Sequence, residues 1–260
     1  MKQPTVGDIL RRLDGIAPFE TAEGFDNAGL LIGDPDRSVT AVVLTLDLSE
    51  QVVEEAAAMG AELIITHHPV IFHPLRRIHY QTPFGRMLAG LMAAGISVIS
   101  AHTNWDKAPG GVGDTLAALL GLEDIRPLDD YVRLGTLPTP LSPAALADRI
   151  DQALGFRPRC YGGDGRTLRK VAVAGGSYGE GYQLALAAGA DAFLTGEVKH
   201  HEILDAVAQG LVIYDGGHHA TEQPAMPALE ARLHTVAAEE GWQIKTRLSM
   251  APPFAGATHM

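Results

Sequence analysis

The chain repeats itself, and that repeat limits its fold more than any other feature. AVVLTLDLSEQVVEEAAAMGAELIITHH and KVAVAGGSYGEGYQLALAAGADAFLTGEVKHH both read strand, turn, helix, Gly-Ala, strand, Thr, then a polar cluster. Gly60 corresponds to Gly189 and Thr66 to Thr195, at the same offset. The next segments match as well: GISVISAHTNWD beside GLVIYDGGHHATE. The offset changes there because the first copy carries a longer loop, HHPVIFHPLRRIHYQTPFGR. Short apolar runs between helices mark parallel strands covered on both faces. The expected fold is therefore α/β: two similar three-layer α/β/α domains related by internal repeat, with a cleft between them. The Pro-rich stretch 124–145 places the junction, which gives residues 1–125 and 126–260 as the two units.

Local signals fill in the elements. Val6, Ile9, Leu10 and Leu13 form a helical apolar stripe near the start. AVVLTL, AELIIT, ISVIS, KVAVA, DAFLT and LVIY read as buried strands, and Ser49 caps the helix EQVVEEAAAM. YVRLGTL reads as a strand at the junction. A last long helix is expected from about Thr221 to Gly241, with WQIKTRL closing as a strand. The N-terminus has no apolar leader, and the longest uncharged run, Met87 to Ala101, falls short of the ~20 residues of a membrane span. The single cysteine, Cys160, fits a reducing compartment as an inert thiol. The reading is a soluble cytoplasmic protein. Its net charge of −11 argues against nucleic acid as a partner, because such binding rests on Lys and Arg at phosphates.

Nine of the eleven histidines lie in the repeated strand-end segments. In open parallel sheets, sites gather at the carboxyl ends of strands. The first copy ends its second strand in His67-His68, the other in Glu197 and Lys199. Each copy ends its third strand in a His-x-x-x-carboxylate pair, His102/Asp106 and His218/Glu222. Adjacent strand residues point to opposite faces, so His67 and His68 can share a site only where Pro69 has ended the strand. Splayed from one turn, each could serve a different metal. His218 and Glu222 share one face if a helix begins there. Together His67, His68, Asp106, His218 and Glu222 make five ligands. That is too many for one open catalytic zinc and suits two divalent metals sharing a carboxylate and a water. The imidazole–carboxylate mix does not distinguish Zn, Mn, Fe, Co or Ni.

GFDNAGLLIGDP, THHPVIF, AHTNWDKAPGGVGDTLAALLGL, TGEVKHHEILDA and DGGHHATE strongly resemble the Nif3-like family, whose members are often called GTP cyclohydrolase I type 2 homologues. The likeness runs in order over nearly the whole chain. It implies a dinuclear metal centre between two similar α/β domains, in subunits forming a hexameric toroid. The family's ligands match His67, His68, Asp106, His218 and Glu222, and the family spacing selects His218 over His219. The chain resembles the short form, without the domain that some members insert between the halves. His102 is a candidate general base or hydrogen-bond partner to a ligand, and Glu197 takes the place of the histidine pair in the second copy. Asp26 and Asn27 lie in a glycine-rich turn that is expected to approach the cleft. Arg76, Arg77, Lys107 and Lys199 are candidate phosphate contacts. GGVGD is either an anion cradle or a plain turn and cap, and Trp105 reads as packing.

Two functions compete. One is a metal-dependent hydrolase acting on a small nucleotide-like substrate through a metal-bridging hydroxide. The family name favours C8 of guanine as the atom attacked. The alternative is a non-enzymatic metal-binding or regulatory protein: a metal store, a metallochaperone or a partner-binding toroid.

Overall fold

The computed structural model describes residues 3–251. Eleven strands lie among them: β1 (Gly29–Ile32), β2 (Ala41–Thr45), β3 (Leu63–Thr66), β4 (Ser97–Ser100), β5 (Glu123–Pro127), β6 (Arg133–Leu141), β7 (Arg159–Tyr161), β8 (Leu168–Val173), β9 (Ala192–Thr195), β10 (Val212–Asp215) and β11 (Lys245–Leu248). The chain divides into two compact units, 1–108 with 226–260, and 109–225. These boundaries are not the halves 1–125 and 126–260. The C-terminal segment joins the first unit because β11 pairs in parallel with β2.

The first unit holds a sheet of order β1-β4-β3-β2-β11. Four strands run parallel, and β1 adds antiparallel at the edge. Val43, Ile64 and Val98 pack on one face against Val52, Val53 and Ala56 of helix Glu50–Met59 and Leu88 and Leu91 of helix Pro83–Ala94. Val42, Leu44, Leu63 and Ile65, which alternate with them, are buried as well. Burial on both faces is what a continuous apolar strand requires. Ser49 caps helix Glu50–Met59 as the sequence indicates, and Gly60 ends it at φ +69°.

The second unit holds a sheet of order β5-β6-β8-β9-β10-β7. Its centre, β8-β9-β10, is parallel, and β6 and β7 flank it antiparallel. Val171, Val173, Leu194 and Tyr214 face helices Val112–Leu119 and Pro143–Leu154. Ala172, Phe193 and Ile213 face Tyr182, Ala185 and Ala206 on the opposite side. This is the expected three-layer arrangement. Both sheets are mixed rather than purely parallel, since antiparallel strands fill their edges.

The repeat is carried into hydrogen bonds. Glu62, beside β3, accepts the Thr40 and Ala41 amides at 2.9 and 3.1 Å. Its counterpart Asp191, beside β9, accepts the Arg169 and Lys170 amides at 2.8 and 2.9 Å. Each acid thereby satisfies backbone donors around the start of the neighbouring parallel strand. Burial pushes the Glu62 carboxyl up, but the Thr40 and Ala41 amides and the Thr40 hydroxyl outweigh it and hold it below its ordinary value. A carboxylate with a lowered folded value stabilises the fold above its unfolded value. That contribution is lost as pH falls through the folded value. Glu62→Gln is therefore expected to cost about 1–2 kcal/mol at pH 7. The deficit should shrink towards pH 3. Thermal melts between pH 3 and 7 check this, and a pH-independent deficit would count against it.

Two expectations need correction. The long helix from Thr221 is two helices, His218–Glu222 and Ala225–Glu240. Pro224 stands at the break and has no amide hydrogen to continue the ladder. The closing strand covers Lys245–Leu248 only, not the whole of WQIKTRL. No helix of the described residues is long and apolar enough to cross a membrane.

Candidate metal centre

In the first unit, the imidazoles sit where β3 and β4 end. The His67 and His68 amides still donate to the carbonyls of Thr45 and Leu46, at 3.1 and 3.0 Å. The backbone therefore follows β2 past the last strand residue, and both side chains reach one place. His67 and His68 have centroids 5.1 Å apart, and His102 lies 5.2 Å from His67 and 5.6 Å from His68. One ring nitrogen from each of the three falls within 4.8 Å of the others. Asp106 Oδ1 lies 3.5 Å from His67 Nε2. His67 is fully buried, and His68, His102 and Asp106 are partly exposed.

Each imidazole is held through Nδ1. His67 Nδ1 lies 2.9 Å from the Ala101 carbonyl oxygen, His68 Nδ1 2.8 Å from Asp47 Oδ1, and His102 Nδ1 2.7 Å from Asp26 Oδ1. An oxygen acceptor at Nδ1 fixes the tautomer with hydrogen there and leaves the Nε2 lone pair for an electrophile. Proteins orient metal-binding histidines in this way, so the donor set fits a divalent cation. Burial pushes the Asp26 carboxyl up, yet hydrogen bonds from His102 and Thr103 overcome it and hold it well below the usual carboxylate range. Asn104 completes the frame, accepting the His102 amide and donating to the Ala17 carbonyl.

In the second unit, His218 opens and Glu222 closes the short helix after β10, and they share a face, with Nε2 3.1 Å from Oε2. Glu197 Oε1 lies 3.2 Å from His218 Nδ1. The imidazole thus has a carboxylate at each nitrogen. Glu222 is buried, whereas the Glu197 side chain is 59% exposed. Thr221 ties this turn to the end of β8: its hydroxyl accepts the Gly176 amide at 3.1 Å. Gly196 is squeezed here, since an added Cβ would fall 2.8 Å from the His218 Cα.

The structure thus brings His67, His68, His102 and Asp106 together in one unit, and His218, Glu222 and Glu197 in the other. It disperses several remaining candidates. His73, His79, His200 and His201 are exposed. Lys107 is engaged by Glu23 at 2.7 Å and by the Thr21 carbonyl. Lys199 lies 3.6 Å from Glu202, while Arg76 and Arg77 are exposed. The GGVGD turn is closed by its own acid, because Asp114 accepts the Gly110 amide and pairs with Arg133. Trp105 is fully buried, as packing requires. Sequence reasoning missed Asp47, the partner of His68. Its place just beyond β2, at the same sheet edge, was the signal that could have found it.

The whole chain is also similar to known proteins. The model of the family Duf34/NIF3 (NGG1p interacting factor 3) matches residues 4–252. A Clostridium perfringens protein named GTP cyclohydrolase 1 type 2 homolog is 36% identical over 230 residues, 85% of this chain and 88% of that protein. One of the same name from Streptomyces coelicolor is 35% identical over 260 residues, covering 95% and 91%. Among solved structures, a Staphylococcus aureus hypothetical protein superposes with a TM-score of 0.92 at 28% identity, over 98% of this chain and all of that one.

Proposed function

This chain belongs to the Duf34/NIF3 family, and from that premise we propose that it is a metal-dependent hydrolase of a small nucleotide-like substrate. The observation that carries the reading is the shared device of the histidine sets: imidazoles held through one nitrogen by an oxygen acceptor. His67, His68, Asp106, His218 and Glu222 are the residues that would hold two divalent cations. Such cations polarise an electrophilic carbon or phosphorus centre and acidify water. His102, set by Asp26, takes and returns the proton at Nε2. Glu197 orients His218. The relatives' name supports a purine-like substrate, and guanine C8 is its natural electrophile. The working form is the homohexamer implied by the family resemblance, acting in the cytoplasm.

Elemental analysis of the purified chain tests the ligand set, with two metals per chain expected. Asp106→Ala and Glu222→Ala should each lose metal while keeping wild-type circular dichroism. Full retention of both metals in both variants would remove the assignment. Mass spectrometry after incubation with GTP tests turnover. Two metals per chain with GTP untouched would favour the metal-store or regulatory alternative. Sedimentation at the mass of six chains tests the assembly, and a monomer would end that part of the proposal.

A further inference from the structure

A row of rings runs outward from the buried His67. His102 lies 5.2 Å from His67, Phe72 lies 6.2 Å from His102, and Phe25 lies 6.4 Å from Phe72. Exposure grows along the row: His67 is fully buried, Phe72 is 38% exposed and Phe25 is 68% exposed. Two exposed phenylalanines in contact leave apolar ring area in water.

Their backbone is fixed from several sides. The Asn27 side-chain amide donates to the Ile71 carbonyl at 2.5 Å, which ties the turn carrying Phe25 to the segment carrying Phe72. The Glu23 amide donates to the Thr103 hydroxyl at 2.9 Å. Asp26, next to Phe25, binds His102 and the Thr103 amide. A turn that orients the His102 imidazole through Asp26 therefore also displays Phe25. The ring planes meet at 59° for Phe25–Phe72 and 84° for Phe72–His102. With the two phenylalanine planes 59° apart, a flat partner would meet one ring face-on and the other edge-on.

We propose that Phe25 and Phe72 form a stacking platform for the planar heteroaromatic ring of a small ligand, seated beside His102. The inference deepens the hydrolase reading, and rests on it for the role of the neighbouring imidazoles. A flat ring is the favoured occupant because the platform is continuous with the imidazole cluster and is itself aromatic. Stacking on such rings tolerates any base, since each presents a π-face. The platform therefore selects for a ring rather than for one particular base.

Calorimetric titration of the full-length chain with GMP, AMP and ribose 5-phosphate tests this. GMP and AMP are expected to bind within about threefold of each other. Both should bind at least about tenfold more tightly than ribose 5-phosphate. Phe25→Leu and Phe72→Leu keep apolar bulk but lose the ring, and each should weaken both nucleotides by about tenfold. Ribose 5-phosphate binding and metal content should not change, and Phe72→Tyr should restore nucleotide binding. Equal binding of all three probes, no nucleotide binding, or wild-type affinity in both leucine variants would overturn the platform. So would a changed assembly mass in those variants with nucleotide affinity intact, which would assign the pair to contact between copies. Wild-type protein that binds nucleotides but holds no metal would instead end the hydrolase reading and leave the platform standing.

Discussion

His68→Ala is expected to lower metal affinity by more than the roughly 10–100-fold that loss of an orienting partner produces. Asp47→Ala should fall within that range. The two belong together because Asp47 Oδ1 sits 2.8 Å from His68 Nδ1. Removing the imidazole deletes a ligand, whereas removing the carboxylate leaves a ligand that can rotate and change tautomer. His68 suits this test better than His67, whose fully buried ring would leave a cavity and confuse lost metal with lost packing. Competition with a chelator, read by metal-dependent thermal shift, gives both numbers. Wild-type protein at about 100 times the dissociation constant gains roughly 2.7 kcal/mol from bound metal. That is about 5–10 °C for a chain of this size. At the same metal concentration His68→Ala should keep no more than about 0.4 kcal/mol of that gain from the site it serves. A wild-type rise in His68→Ala would remove it from the ligand set, and an unaltered affinity in Asp47→Ala would remove the orienting role.

What the sequence made legible is local. The central strands, the Ser49 cap, the left-handed glycines at 60 and 189 and the i,i+4 pair His218/Glu222 all carry their signal within a few residues. The repeat extended that reach, since it placed the His- and carboxylate-bearing ends of β3, β4, β9 and β10 at matching positions. Long-range pairings were hidden. Asp26 and His102 are 76 residues apart, and no periodicity announces their hydrogen bond. The return of β11 to β2, which moves the last segment into the first unit, spans the whole chain. Edge strand β7 is short and mostly exposed and lacks the apolar run that marked the others, whereas β1 has one, Leu30–Ile32, set within a glycine-rich segment. Phe25 and Phe72 look like ordinary core residues in the sequence. Only their exposure in the fold separates them from packing.

The second large effect is expected at a glycine that touches no ligand through a side chain of its own. Gly176 sits at φ +60°, where a side chain costs roughly 1–2 kcal/mol. An added Cβ would also fall 2.0 Å from Glu222 Oε1 and 3.4 Å from His218 Nε2. The clash falls on the end of the Glu222 side chain, so the carboxylate gives way and its place beside His218 shifts. The backbone cannot easily move instead, because the Gly176 amide donates to Thr221 and its carbonyl accepts the Glu197 amide at 3.0 Å. Gly176→Ala should therefore destabilise the chain by about 2–4 kcal/mol and shift the Glu222 carboxylate, with loss of metal expected if Glu222 is a ligand. Gly189 provides the control. It has nearly the same backbone, φ +71°, but an added Cβ meets nothing within 4 Å. Gly189→Ala should cost only about 1–2 kcal/mol of strain and keep its metal. Comparing the pair by denaturant unfolding and elemental analysis separates backbone strain from the clash. If Gly176→Ala held metal as well as Gly189→Ala does, Glu222 would not be a ligand in the position described, however stable the variant proved.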